Sequence, residues 1–235
     1  MKILAIDTSA TAASACIAEE NKIIGEFYIN TAITHSQTLM PMIEQLFKNT
    51  VLTLKDIDAI AVNAGPGSFT GVRIGVAAAK GLAFAEDLPC VSVSTLESMA
   101  YNMLGADGIV CAVMDARCSQ VYNALFKVSG MHIQRLCDDR AVSISDLELE
   151  LKKYNENIYF VGDGADICAK ALENSLQNAE TAPINKRTQT ASSTACAAFK
   201  LISDGKTLTA EELMPTYLRL PQAQRELNKK MGVAK

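Results

Sequence analysis

Histidine is nearly absent from this chain: its 235 residues contain two, His35 and His132. They lie far apart, so no HxxxH or HExxH pair can set two imidazoles on one helix face, and a metal site of that kind is not expected. No GxSxG elbow and no workable Ser/His/Asp order is present either, which removes the basis for protease chemistry. His35, beside a predicted helix start, reads as a polar surface or capping residue. No CxxC pair occurs among the seven cysteines at 16, 90, 111, 118, 137, 168 and 196. An odd, scattered set in apolar segments points to a reducing compartment and to thiols that serve as small buried hydrophobes. No uncharged apolar stretch nears the ~20 residues of a membrane helix, Ile109 to Met114 being the nearest candidate. The opening run is cut by Asp7 before it could form the core of an export signal, so a soluble, cytoplasmic chain is expected.

What is present suits an ordinary globular protein, with 49% hydrophobic and 20% charged residues. One large or two small domains fit this length. The net charge of −4 hides an asymmetry, because Leu218 to Lys235 holds Arg219, Arg225, Lys229, Lys230 and Lys235 against Glu226 alone. An acidic body argues against a dedicated nucleic-acid-binding domain. The basic tail reads as a solvated segment, with a tRNA contact as the other possibility.

Residues 2–7, 12–19 and 22–29 read as a three-stranded meander, with Glu19-Glu20-Asn21 as the tight turn between the last two. Leu39, Met40, Ile43, Leu46 and Phe47 recur at helical spacing, with Thr34 or Ser36 placed to cap; Pro41 suggests a kink or a later start. That helix is predicted to end near Asn49. Ile57–Val62 reads as a buried strand, 68–86 as a helix after the turn Gly65-Pro66-Gly67, and Cys90–Val93 as a strand. Ser94 or Thr95 caps a third helix.

From Ile109 the order begins again. Ile3-Leu4-Ala5-Ile6-Asp7 is echoed by Cys111-Ala112-Val113-Met114-Asp115, each an apolar strand ending in aspartate, each followed by a polar turn and another β-prone segment. An internal duplication explains this. Residues 146–154 and 191–203 read as helices, and 158–161 as a strand before Gly162-Asp163-Gly164. The prediction is an α/β protein of two similar lobes of mixed sheet flanked by helices, 1–106 and 107–235, the second carrying the basic tail.

Three features could carry chemistry or binding. Asp7 and Asp115 end corresponding strands, where carboxylates facing a common cleft could hold magnesium and orient phosphate; equally, each could cap its own turn. The segment Gly65 to Gly75, GPGSFTGVRIG, fails both the GxGxxG and the P-loop patterns, leaving only a helix N-terminus able to attract an anion. Its continuation places Gly71, Gly75, Ala79 and Ala83 four residues apart. Interior helix glycines cost up to about 1 kcal/mol each, so this stripe of minimal side chains calls for a close-packed neighbour. That neighbour is either the chain's own sheet or a partner.

Ile3 to Ser9 (ILAIDTS), His35-Ser36-Gln37 with Leu39 to Ile43, the GPGSFTGVRIG segment, Asp115-Ala116-Arg117 with Val121-Tyr122, and Pro215-Thr216-Tyr217-Leu218-Arg219 together resemble the TsaB (YeaZ) family. The resemblance runs through nearly the whole chain and is thin over 130–205. It implies an actin-like ATPase (ribonuclease H-like) fold and a non-catalytic subunit for making N6-threonylcarbamoyladenosine at position 37 of tRNAs that read ANN codons. The implied partner is the paralogue TsaD, whose metal sits on an HxxxH pair that this chain lacks. TsaE, an ATPase, and the threonylcarbamoyl-adenylate synthase complete the implied system, and a homodimer replaces the TsaD pair when TsaD is missing. By this resemblance the first two helices form the partner interface, through His35, Leu39, Ile43, Phe69, Gly71, Val72, Gly75 and Ala79. Asp7 and Asp115 become remnants of a nucleotide site, no cofactor is expected, and tRNA is met indirectly or through the tail. The competing expectation from the paired aspartates is an actin-like small-molecule kinase or ATPase.

Overall fold

The computed structural model describes residues 1–31, 33–117 and 119–219. The chain opens with an antiparallel meander, β1 (Lys2–Asp7), β2 (Ala12–Glu19) and β3 (Lys22–Asn30). Then come α1 (His35–Thr50), β4 (Ala59–Gly65), α2 (Phe69–Ala85), β5 (Cys90–Ser94) and α3 (Thr95–Tyr101). Crossing back through helices lets β4 pair in parallel with β1, and β5 with β4, giving the order β3-β2-β1-β4-β5.

The second half repeats the scheme with β6 (Asp107–Asp115), β7 (Gln120–Ser129), β8 (His132–Arg135), β9 (Arg140–Ser143), α4 (Ile144–Leu151), β10 (Ile158–Val161), α5 (Ala165–Leu172) and β11 (Ala179–Thr181). Its sheet runs β8-β7-β6-β10-β11, with β9 added to β7. β7 is antiparallel to β6 and to β8, and β10 is parallel to β6 and to β11, so both sheets share order and strand sense. The echo of one aspartate-ended strand in the other is therefore a repeat of topology.

Period-2 alternation assigns each face of the first sheet. Leu4 and Ile6 of β1 join the apolar cluster under α1 and α2, while Ile3 and Ala5 join the cluster on the opposite face. That opposite face is covered from the far end of the chain: after α6 (Ile184–Arg187), α7 (Ala191–Ser203) returns and packs Ala191, Ala195 and Ala198 against Ala5, Ala18, Ala59 and Ala61. Alanine against alanine lets helix and sheet approach closely, which explains the helix's composition. On the second sheet, α3 covers one face through Leu96, Met99 and Ala100, and α4 and α5 cover the other through Leu147, Leu151 and Cys168. Since α3 also packs on α7, the layers run α1/α2, first sheet, α7/α3, second sheet, α4/α5.

The first sheet ends at Ser94 and the second begins at Asp107, and within the expected second lobe, 107–235, α7 and Leu208 to Thr216 pack on the first sheet, whose bare face α7 covers. Helix α1 starts at His35, ahead of Ser36 and not later, and runs through Pro41, with Thr34 at the N-cap position but making no side-chain cap bond. Ser68 and Ser94 cap α2 and α3 with hydroxyls that accept the Gly71 and Glu97 amides. The first predicted helix of the second lobe lies at 144–151 rather than 146–154, and β8, β9, α5 and β11 add to what the sequence indicated.

No helix among the described residues is long and apolar enough to cross a membrane. Cys16, Cys90, Cys111 and Cys168 are buried, and burial pushes each thiol above its usual range. Residues 220–235 lie outside the described structure, so the tail's proposed tRNA contact gains no geometry here.

Candidate functional site: interlobe cleft and helix face

The two repeated strands end in the same turn. Ser9 N–H donates to Asp7 Oδ1 at 2.7 Å, and Arg117 N–H donates to Asp115 Oδ1 at 2.7 Å. Each aspartate therefore caps its own turn, one of the two roles open from sequence. Their settings differ. Asp115 is exposed and lines a cleft of about 360 Å³ between the lobes, whereas Asp7 is 2% exposed and lies behind Ser9 and Ala10, which form the cleft wall. Burial pushes the Asp7 carboxyl above its ordinary range, with Ser9, Asn63 and His35 pulling it partly back. Its Oδ2 finds no hydrogen-bond partner among the described residues. The expected pairing of Asp7 with Asp115 across a common cleft is thus corrected: a carboxylate sealed behind the wall does not face Asp115.

The carboxylate that accompanies Asp115 is Asp163, which the sequence reading left unassigned. It follows β10, as Pro66 follows β4, and it lines the cleft. Asp163 is exposed at the cleft mouth, yet the crowding of protein atoms around it strips enough water from its carboxyl to push it up to about 6; the charges of Asp115 and Asp7 add to this, and the Asp115 amide opposes it. The only signal in the sequence was the Gly162-Asp163-Gly164 turn at the end of a strand. Gly162, at φ +105°, packs against Val113 O, a backbone approach that a side chain would block.

The GPGSFTG segment is held against the β1–β2 turn. Ser68 N–H donates to Ser9 O at 2.7 Å, and a Cβ on Gly67 would run into that same carbonyl. Facing it, residues 208–219 form a strap along α2. Leu208 exchanges both backbone bonds with Cys90, Lys80 Nζ donates to Glu211 O and Leu213 O at 3.1 Å, and Thr216 N–H donates to Ala64 O at 2.7 Å. The Tyr217 and Phe69 ring centroids are 5.0 Å apart. Arg73 lies 3.7 Å over Phe69 and donates Nε–H to Tyr217 Oη at 2.7 Å. The strap ends at Arg219, whose Nη1 donates across the cleft to Ala116 O at 2.7 Å.

The small-residue stripe faces inward. Gly71, Gly75 and Ala79 are buried, a Cβ on Gly71 would strike Thr8 O, and one on Gly75 would strike Thr8 Oγ1. Leu39, Ile43 and Val72 lie in the same core cluster. As interface residues these six are corrected: the neighbour they fit is the chain's own first sheet and the turn that follows β1. His35 is half-buried, its Nε2 bound to Ala10 O at 2.7 Å, so it ties the start of α1 to the β1–β2 turn. Phe69 is half-buried in the Arg73–Tyr217 stack.

What α1 and α2 present outward is a different set. Thr70, Arg73, Ala77 and Gly81 are exposed along α2, Ile74, Ala78 and Leu82 half-exposed. Met40 at 46% and Val51 at 90% exposure border an apolar hollow with Phe47, Leu52 and Leu54, and Phe84, at 77% exposure, borders a second hollow with Gly81 and Ala210. Space next to Gly81 is open.

Two lobes with one repeated sheet order, a cleft at the paired strand ends and a returning helix between them define an actin-like protein. A family model described as TsaD: tRNA N6-adenosine threonylcarbamoyltransferase matches residues 23–227. The tRNA threonylcarbamoyladenosine biosynthesis protein TsaB of Bacillus subtilis (strain 168) is 32% identical over 231 residues, 95% of this chain and 96% of that one. The TsaB of Escherichia coli (strain K12) is 32% identical over 231 residues, 97% and 98% of the two chains. The solved structure of YeaZ from Pseudomonas aeruginosa has a TM-score of 0.76 at 25% identity, covering 92% of this chain and 99% of that one. The chain belongs to the TsaB (YeaZ) family.

Proposed function

We propose that this chain serves N6-threonylcarbamoylation of tRNA as a non-catalytic subunit that docks a TsaD-type relative through the outward face of α1 and α2. The observation that carries the reading is that these helices leave large apolar side chains exposed, Met40 and Val51 at one hollow and Phe84 at another, together with the small residues Ala77, Ala78 and Gly81 of α2. A monomer rarely leaves such a face to water, and small residues let a partner helix approach closely. Asp7 supports the non-catalytic part: enclosed behind the cleft wall and bonded to the Ser9 amide, it is poorly placed to orient a metal-bound phosphate in the cleft.

In this reading the same face pairs two copies of the chain when TsaD is missing. TsaE and the threonylcarbamoyl-adenylate synthase act alongside the pair, in the cytoplasm where tRNA is modified. The test is reconstitution. The purified chain alone is expected neither to hydrolyse ATP nor to modify tRNA, and to restore modification when added to TsaD, TsaE and the synthase. Robust intrinsic ATPase activity, or magnesium-dependent nucleotide binding abolished by Asp7→Asn in calorimetry, would instead favour the kinase-like reading.

A further inference from the structure

We propose that the strap 208–219 couples docking on α2 to the opening of the interlobe cleft, with Arg219 as the latch and the Arg73–Tyr217 pair as the transmitting contact; the docking half rests on the function proposed above. Three observations converge. The strap is anchored to the first lobe along its length, by Cys90 to Leu208, by Lys80 to the carbonyls of Glu211 and Leu213, and by Ala64 to the Thr216 amide. Its last described residue leaves that lobe and donates Nη1–H to Ala116 O in the turn after β6 of the second lobe, beside Asp115. Between anchor and latch stands Tyr217, 42% exposed, held by a side chain of α2's outer surface: Arg73 donates to its hydroxyl and stacks on Phe69.

The physical consequence is a short lever. A single residue, Leu218, separates Tyr217 from Arg219, so a displacement of the ring is transmitted to the guanidinium with little slack. Arg73 belongs to the exposed edge of α2, where a docked partner has access to it. A partner carboxylate that captured the Arg73 guanidinium would remove the donor from Tyr217 Oη, and the latch would lose its support. Gly65 fits this arrangement, since a Cβ there would collide with Thr216 O and lift the strap from β4.

Hydrogen exchange followed by mass spectrometry on the full-length chain tests the coupling without labels. Arg219→Ala is expected to speed exchange in the 115–122 turn by about tenfold while leaving the Thr216 amide protected. Arg73→Ala, which removes contacts to Phe69 and Tyr217, is expected to speed exchange at both places. Arg219→Ala leaving the turn unchanged would overturn the latch. Arg73→Ala loosening Thr216 alone, or neither place, would overturn the transmission. Circular dichroism checks that each variant is folded, with Arg73→Lys and Tyr217→Phe as milder replacements that remove the Nε–H···Oη bond. Adding purified TsaD to the wild-type chain is expected to reproduce the Arg73→Ala pattern. Co-elution on size exclusion without that pattern would overturn the coupling, whereas loss of co-elution would count against the docking reading and leave the two free-chain variants to decide the latch.

Discussion

Thr8 Oγ1 donates to Gly71 O at 2.8 Å, placing a side chain of the β1–β2 turn against the backbone of a helix where ordinary packing would hold the two further apart. Gly71 and Gly75 leave the room for it, and this single contact explains why interior helix glycines are kept despite their conformational cost. It also decides which face of α2 is core.

The first prediction follows from that contact. A Cβ on Gly75 meets the Thr8 hydroxyl, and one on Gly71 meets the Thr8 carbonyl. Overpacking of this kind costs about 1–3 kcal/mol, so Gly75→Ala should lower the thermal midpoint measurably. Because its obstacle is a removable side-chain atom, adding Thr8→Ala should return part of the loss, with a favourable coupling in a double-mutant cycle. The same second change should leave Gly71→Ala unrescued, since its obstacle is backbone. Equal rescue of both would show that Thr8 is not the contact that matters.

Asp7 yields the second prediction. Its folded-state carboxyl is raised by burial, so ionisation costs the fold at neutral pH. Asp7→Asn keeps an oxygen for the Ser9 amide without the charge, and the variant is expected to melt no lower than wild type at pH 7. Asp7→Ala leaves that amide without its acceptor, and a loss of about 1–3 kcal/mol is expected in denaturant titration.

A pH series isolates Asp163. Raised from an ordinary 3.8 to about 6, this group favours the fold in its protonated form. Its contribution is present below about 4 and is lost as pH rises to about 6, because the unfolded chain releases the proton first. Asp163→Asn should remove that slope: thermal midpoints of wild type, compared with the variant, should fall between pH 4 and 6 and run parallel above. Curves parallel throughout would place Asp163 in ordinary solvent.

How much of this was legible differs by feature. The repeat was readable because both β1 and β6 are apolar runs buried on both faces and closed by aspartate, a pattern that survives loss of identity elsewhere. Helices α1 and α2 were placed within a residue or two because large apolar residues and caps mark them. Their orientation was not readable: Gly71, Gly75 and Ala79 on one side of α2 and Ala77, Ala78 and Gly81 on the other carry no polarity that would tell core from surface. Asp163 was hidden because a lone aspartate between two glycines reads as a turn, and only the topology sets it opposite Asp115. The return of α7 and Leu208 to Thr216 to the first sheet is a long-range event, decided by a bare alanine-lined sheet face, with no local signal beyond the helix's own alanines.

The outward face of α1 and α2 is the central claim, and Gly81 gives it the most direct test. No atom lies near a Cβ built there, so Gly81→Arg should leave the chain's own melting midpoint unchanged while placing a long charged side chain where the partner helix would lie. Titration calorimetry against purified TsaD is the measurement. The account predicts loss of binding by Gly81→Arg with the fold intact; binding at wild-type affinity by a normally folded Gly81→Arg chain would contradict it.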